Sequence, residues 1–388
     1  MLDWLIIGGG LHGTHLALVL TRRCGVAPER LRILDPHEEL LAHWERCTAA
    51  TGMRFLRSTV VHHLALDPHD LWQFVRQRGA EPGQFRGPYK RPALGLFREH
   101  CRAVIAEHGL ERLHLRRRAT GLTRAKHGWR VETDGGSLTA CRVLLALSVG
   151  EQPRWPAWAA QLRAAGGPVG HLYGCEAPMM APGETVVVGG GISAAQAAVA
   201  LARQAPGNVT LLLRHDIRVE AFDSPAGWVG PKELRGFHAE PSVERRRAMI
   251  RGARRPGSMP KDVAHSLHRA ERAGLLRVVR GEVRRADLQP DCSVGLEVHG
   301  LALRADRVVL ATGFEQQRPG GAWLDRAIAD YELPLAPCGY PVIDPSLAWA
   351  QGLYATGALA ELELGPVARN IVGARHAGER LTRATRQL

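Results

Sequence analysis

The sequence predicts an α/β protein built from two Rossmann-like dinucleotide-binding domains, the second inserted into the first. Three observations predict it. The apolar run Trp4-Leu5-Ile6-Ile7 leads straight into Gly8-Gly9-Gly10-Leu11-His12-Gly13. The same order recurs mid-chain, where Thr185-Val186-Val187-Val188 leads into Gly189-Gly190-Gly191-Ile192-Ser193-Ala194. Apolar strands ending in small-residue turns then return late in the chain, at Ala311-Thr312-Gly313-Phe314 and at Ala355-Thr356-Gly357-Ala358.

The first glycine turn is informative because of its context. A strand precedes it, and Thr14 to Leu20 reads as a helix. Gly8 permits the tight turn, Gly10 lets the backbone approach a pyrophosphate, and Gly13 lets the helix lie against the strand. The helix N-terminus offers free N–H groups and partial positive charge to phosphates. A second strand, Leu31 to Leu34, ends at Asp35. A carboxylate there accepts hydrogen bonds from ribose hydroxyls and repels a 2′-phosphate, so this turn suits FAD or NAD and disfavours NADP.

The second turn has the same parts with two differences. Ala194 stands in the third glycine position, and the strand Val209 to Leu213 ends in Arg214-His215 with no acidic residue. An arginine there accommodates the 2′-phosphate of NADP through charge-assisted bonds. Gly189, Gly191, Ala194 and Arg214 are therefore the expected NADP-binding residues. That leaves FAD for Gly8, Gly10, Gly13 and Asp35. One domain would hold a flavin and the other would bring a nicotinamide to it, with the cofactors carrying the hard chemistry.

The expected layout is a flavin domain at 1–165 and 300–388, with the nicotinamide domain at 166–299. Pro/Gly-rich stretches from Pro153 to Gly170 and from Ala177 to Gly183 mark the first crossover. Leu94 to His108 has helical apolar spacing. Phe222 to Pro260 lacks strong periodicity and is rich in Gly, Pro and Arg, so it reads as an irregular stretch over an active site.

Bulk properties exclude several classes. A length of 388 residues allows two or three domains, and 45% hydrophobic content suffices for packed cores. The net charge of +13 comes almost wholly from arginine spread along the chain, without the clustering and aromatic interleaving of a nucleic-acid binder. The densest basic run, Arg245 to Arg255, reads either as a solvated helix face or as an attractor of an anionic cofactor or acidic substrate. Seven cysteines form no Cys-x-x-Cys pair, so neither a zinc site nor a disulfide framework is expected, and a reducing cytoplasm fits. No stretch reaches the ~20 apolar residues of a membrane span, and the N-terminus does not read as a signal peptide. The expected partner is a small-molecule substrate; homo-oligomerisation is left open.

In the order of these motifs the chain resembles the two-dinucleotide-binding flavoproteins. Within that group it is most similar to the flavin-dependent N-hydroxylating monooxygenases of lysine and ornithine, and more distantly it resembles Baeyer–Villiger and other class B flavin monooxygenases. Ala311-Thr312-Gly313-Phe314 looks like their Ala-Thr-Gly-Tyr/Phe element. Trp44 to Leu56, with Gly52-Met53, is similar to the stretch that runs near their flavin. Gly150-Glu151-Gln152-Pro153 resembles the crossover into their nicotinamide domain. Gly365-Pro366-Val367-Ala368-Arg369-Asn370-Ile371 looks like the helix start that faces the flavin pyrimidine. A proline near a helix start costs no hydrogen bond, and free N–H groups there stabilise charge on a reduced flavin. The resemblance implies FAD contacts from Gly357, Pro366 and Asn370, and it makes Met53, Arg57 and Asn370 candidates beside the reaction. The chain is shorter than typical lysine or ornithine hydroxylases, so their amino-acid specificity is not carried over. Disulfide reductases share the double fold but need a cysteine pair beside the flavin, and Cys47 has no near neighbour of its kind.

Three functional readings follow. The first is an FAD- and NADPH-dependent monooxygenase acting on a nucleophilic nitrogen or another soft centre. The second is an NAD(P)H-dependent reductase that inserts no oxygen. The third is a non-enzymatic nucleotide-binding regulator. Fold alone does not decide among them. His12, His15, His62 and His63 stand out, although most histidines are structural or solvated.

Overall fold

A computed structural model describes residues 1–174 and 183–385. The strand Leu2–Ile7 is the centre of the first sheet. It runs parallel to Leu31–Asp35 on one side and to Gly136–Leu145 on the other. His114–Arg116 extends the sheet beyond Leu31–Asp35, and Leu353–Ala355 extends it beyond Gly136–Leu145. An antiparallel meander, Ala119–Ala125 and Gly128–Thr133, leads into Gly136–Leu145. The central strand reads apolar on both faces because helices cover both, as parallel sheets require.

The second sheet repeats this plan. Thr185–Val188 lies parallel between Val209–Leu213 and Arg307–Leu310. Arg277–Arg280 and Val169–His171 form the outer strands. An antiparallel meander, Val283–Leu288, Val294–Val298 and Leu301–Ala305, leads into Arg307–Leu310. Every strand of this sheet falls in the chain between Gly136–Leu145 and Leu353–Ala355 of the first sheet.

The expected boundaries need correction at both crossovers. Leu301–Ala305 and Arg307–Leu310 belong to the second sheet, so a division at 299/300 cuts its meander. The helix Ala157–Ala164 also packs into the second domain, with Ala159 and Leu162 in one core with Val294, Leu296 and Leu303. The chain crosses where two segments meet side by side. Arg154 N–H donates to the Gly313 carbonyl at 2.9 Å, and Glu315 N–H to Gln152 at 2.8 Å. Turn composition marked a neighbourhood, but pairing across the sheet decided the residue. The stretch 177–182, expected to mark the crossover, lies outside the described residues.

The segment 222–260 is not irregular. It contains the helices Pro231–Ala239 and Val243–Ala253, and they pack away from their own sheet. Trp228, Leu234, Phe237 and Ile250 form a core with Ala336, Tyr340, Leu362, Val367 and Val372 of the first domain's C-terminal part. Both helices are short, which is why their apolar period was weak in the sequence. Among the described residues no helix is long and apolar enough to cross a membrane.

Candidate functional site

Both glycine turns have the geometry their spacing demands. Gly8 has φ +114°, and a Cβ on it would lie 2.5 Å from the Ala146 carbonyl oxygen. Gly189 has φ +154°, and its Cβ would lie 2.4 Å from the Ala311 oxygen. Each turn thus presses against the end of the neighbouring parallel strand, where only glycine fits. Gly10 faces open space, with nothing within 4 Å of a Cβ built there. It stands at the N-cap of the helix Leu11–Arg22, so backbone N–H groups are accessible to an anion. Gly13 is the tightest position: its Cβ would lie 1.8 Å from the Gly8 oxygen. At the matching position Ala194 is accommodated and fully buried at the start of the helix Ile192–Gln204. Around Gly191 the nearest atom is the Cα of Gly257, 3.5 Å from a built Cβ.

The strand ends differ. Asp35 is half-buried and already ties down its own turn, accepting from Gly9 N–H at 2.6 Å and from His37 N–H at 3.0 Å. A carboxylate has about four acceptor positions, so capacity for ribose hydroxyls remains. Arg214 is exposed and has no hydrogen-bond or ion-pair partner among the described residues. His215 packs its ring against Gly190 and Gly257.

The C-terminal candidates gather around His12. Its Nδ1 lies 3.1 Å from Thr356 Oγ1 and its Nε2 lies 3.0 Å from the Asn370 carbonyl oxygen. Gly357, with φ +62°, sits beside the ring. The Asn370 amide donates to Asp223 Oδ1 at 3.2 Å, bringing the inserted segment to the same place. Burial pushes the His12 imidazole down to about 4, so the ring is neutral near neutral pH.

Gly365-Pro366 does not open a helix. Gly365 (φ +80°) ends the short helix Glu361–Leu364, Pro366 is buried in the following turn, and the last helix begins at Ile371. Leu234 and Phe237 lie over Gly365. The expected helix start is therefore displaced to Asn370-Ile371, where Asn370 remains accessible and Pro366 does not.

Met53 packs partly buried against the first core, beside Gly52, whose built Cβ would lie 2.7 Å from Ala200 of the second domain. Arg57 is fully engaged: its guanidinium donates to the carbonyls of Glu220, Ala221, Phe222 and Ser258 and to Ser258 Oγ. It is a bridge between the domains, with its donors turned toward backbone oxygens. Arg91, paired with Asp262 at 2.6 Å, is another.

The basic run is neither of the things expected of it at three of its positions. Arg247 and Arg254 pair with Glu361, and Arg246 pairs with Glu363 at 3.0 Å. Arg369 reaches Glu361 as well, at 2.8 Å. Burial would raise the Glu361 carboxyl, but the guanidiniums of Arg254, Arg369 and Arg247 outweigh it and hold it at about 2. This cluster fastens the helix Val243–Ala253 to the first domain. Its signal in the sequence was Glu361-x-Glu363, an acidic pair in an arginine-rich chain.

The remaining residues narrow the chemistry. Cys47 lies 3.5 Å from His43 Nε2, but burial pushes its thiol up to about 11, which disfavours the thiolate a disulfide reductase needs. His15, His63 and His100 are bonded to Leu64 O, Pro68 O and Asp70 respectively, as core histidines are. Thr312 of the late small-residue turn donates to Arg154 O at the crossover, and Phe314 stacks on Tyr173.

A family model described as FAD-NAD(P)-binding matches residues 5–150. No curated protein sequence matches the chain significantly. Solved structures match it over its whole length. The FAD-bound cadaverine monooxygenase DfoA of Erwinia amylovora aligns with TM-score 0.76 at 15% identity, covering 100% of this chain and 95% of that one. Ornithine hydroxylase PvdA of Pseudomonas aeruginosa aligns with TM-score 0.75 at 17% identity, covering 99% and 98%. Ornithine N-hydroxylase KtzI of Kutzneria, solved with reduced FAD, NADP+ and L-ornithine, aligns with TM-score 0.75 at 16% identity, covering 100% and 99%. With two glycine turns, two matching sheets and full-length superposition, the chain has the two-dinucleotide-binding fold of these flavin-dependent monooxygenases.

Proposed function

We propose that this protein is an FAD- and NADPH-dependent monooxygenase that hydroxylates a nucleophilic nitrogen, or another soft centre, of a small molecule. The observation that carries the reading is the pair of dinucleotide turns, one ended by Asp35 and one by Arg214, in a fold shared end to end with N-hydroxylating enzymes. The residues fit the two cofactors. Gly10 leaves the backbone open to a pyrophosphate, and Gly8 and Gly13 hold the turn that presents it. Gly189, Gly191 and Ala194 form the second cradle, and Arg214 is a free cation at the position of a 2′-phosphate.

When bound, FAD would take a hydride from NADPH and supply oxygen-transfer chemistry. The chain's own work is to bind, orient and exclude water. Gly357 and Asn370, held around His12, form the wall opposite the first turn. The helices of segment 222–260, fastened by Arg57 and by the pairs of Arg247 and Arg254 with Glu361, close over that wall. Met53 packs against the first core, next to Gly52, which meets Ala200 of the second domain. A pocket closed in this way limits wasteful loss of activated oxygen to water. No side-chain nucleophile is required.

The test is NADPH consumption by the flavin-loaded protein against a panel of amines and other small nucleophiles, with product mass measured. Substrate-stimulated consumption matched by one-oxygen gain in the product is expected. Consumption that yields only hydrogen peroxide, or that reduces a quinone with no oxygen gain, would replace this reading with a reductase.

A further inference from the structure

We propose that His12 is a positioning residue for the flavin: it locks the turn at Asn370 to the first glycine turn, so that the pyrophosphate and the flavin ring of the bound FAD meet a single rigid wall. This rests on the FAD placement proposed above.

The geometry dictates which atoms carry protons. A carbonyl oxygen only accepts, so the contact between Nε2 and Asn370 O at 3.0 Å requires N–H on Nε2. The neutral ring then has its lone pair on Nδ1, which accepts from the Thr356 hydroxyl at 3.1 Å. One tautomer satisfies both partners, and both lie more than 340 residues away in the chain. Thr356 is fully buried, so its hydroxyl has no competing water.

His12 is the second residue of the helix Leu11–Arg22, and Asn370 directly precedes the helix Ile371–Thr385. Each helix start carries free N–H groups and partial positive charge. The ring fixes the separation of the two starts without adding a charge that would compete with the ligand. From Asn370 the connection continues to Asp223, whose carbonyl accepts from Arg255 N–H at 2.7 Å. The segment from the second domain is therefore fastened to the first glycine turn through His12.

The second domain offers an internal control. Ser193 occupies the position equivalent to His12, and its hydroxyl lies 2.5 Å from Tyr173 OH. Tyr173 stacks on Phe314, at the crossover between the domains. The same turn position is a tie point in both domains, but only the first tie reaches the C-terminal wall.

Three variants separate the two hydrogen bonds. His12→Gln keeps a donor near the Nε2 position, His12→Asn keeps a polar atom near Nδ1, and His12→Ala keeps neither. FAD affinity is read by fluorescence titration and the midpoint potential of the bound flavin by redox titration. Thermal unfolding of the FAD-free protein is measured beside them. His12→Ala is expected to bind FAD about tenfold more weakly and to shift the midpoint potential negative, with His12→Gln restoring more than His12→Asn. Folded variants that keep wild-type affinity and potential overturn the proposal, as does a fall in thermal stability with no change in potential. If His12→Ala does not fold, the order of His12→Gln and His12→Asn decides. A wild-type protein that takes up no FAD overturns the proposed function, and this role falls with it.

Discussion

The two glycine turns share one backbone and differ in nearly everything around it. Gly8 and Gly189 press against the carbonyls of Ala146 and Ala311 at almost the same built distance, 2.5 and 2.4 Å. The first turn is then enclosed: Asp35 holds Gly9, His12 holds Asn370, and the Glu361 cluster fastens the segment above it. The second is open at its strand end, with Arg214 in solvent, and has Ala194 where the first turn has no room for a methyl group. A cofactor retained through turnover suits the enclosed turn, and one that arrives and leaves suits the open one. The turn is thus a requirement of the fold, while the ligand and its residence are set by what surrounds it.

The largest effect should come from the enclosure. Glu361→Ala leaves the buried Arg247 without its carboxylate and is expected to cost about 3–5 kcal/mol in urea unfolding. A loss under about 1 kcal/mol would mean that the apolar contacts of Trp228 and Phe237 suffice. Next comes the asymmetry of the turns. Gly13→Ala should cost about 3 kcal/mol through its clash with the Gly8 carbonyl, whereas Ala194→Gly should cost about 1 kcal/mol as a helix substitution. Equal costs would remove the distinction. Arg214→Ala should weaken NADPH by about 1.5–3 kcal/mol and NADH far less, measured as the ratio of the two dissociation constants. Equal losses would withdraw the 2′-phosphate role.

Acid gives a more gradual test. Burial holds His12 and His62 at about 4 and His15 and His63 at about 3, against an ordinary value of 6.5. Between those limits the unfolded chain binds protons that the folded chain refuses. Stability is therefore fully present above pH ~6.5 and falls as pH drops, by about 1.4 kcal/mol per unit for each histidine. All four belong to the first domain, against His171 at about 4 in the second, so hydrogen exchange should show the first domain loosening first on acidification. The smallest expected effect is at Cys47. Its thiol is held protonated, so Cys47→Ala should leave NADPH oxidation unchanged; a collapse would revive a thiol-dependent reductase.

Most of the fold was legible because its signals are local. The strand, glycine turn and helix at Gly8 and Gly189 occupy consecutive residues, and sterics over a few atoms dictate them. The strand-end residues Asp35 and Arg214 were legible for the same reason. The helix Ala157–Ala164 and the strand Arg307–Leu310 were assigned to the wrong domain because domain membership depends on pairing with strands far away in the chain. Gly365-Pro366 looked like a helix start because a proline tolerated at one is equally tolerated in a turn. Arg57 looked like a candidate beside the reaction, and only the positions of four carbonyls from another domain show it to be a bridge.

The sequence alone determined that this protein has two dinucleotide turns, and which of them carries an acidic and which a basic strand end. Only the tertiary structure decided that His12 joins the first turn to Thr356 and Asn370, and that Glu361 gathers arginines from two domains. The physical reason is range. A turn is set by the steric limits of its own backbone, but a hydrogen bond or ion pair across 340 residues exists only once packing has brought its partners together.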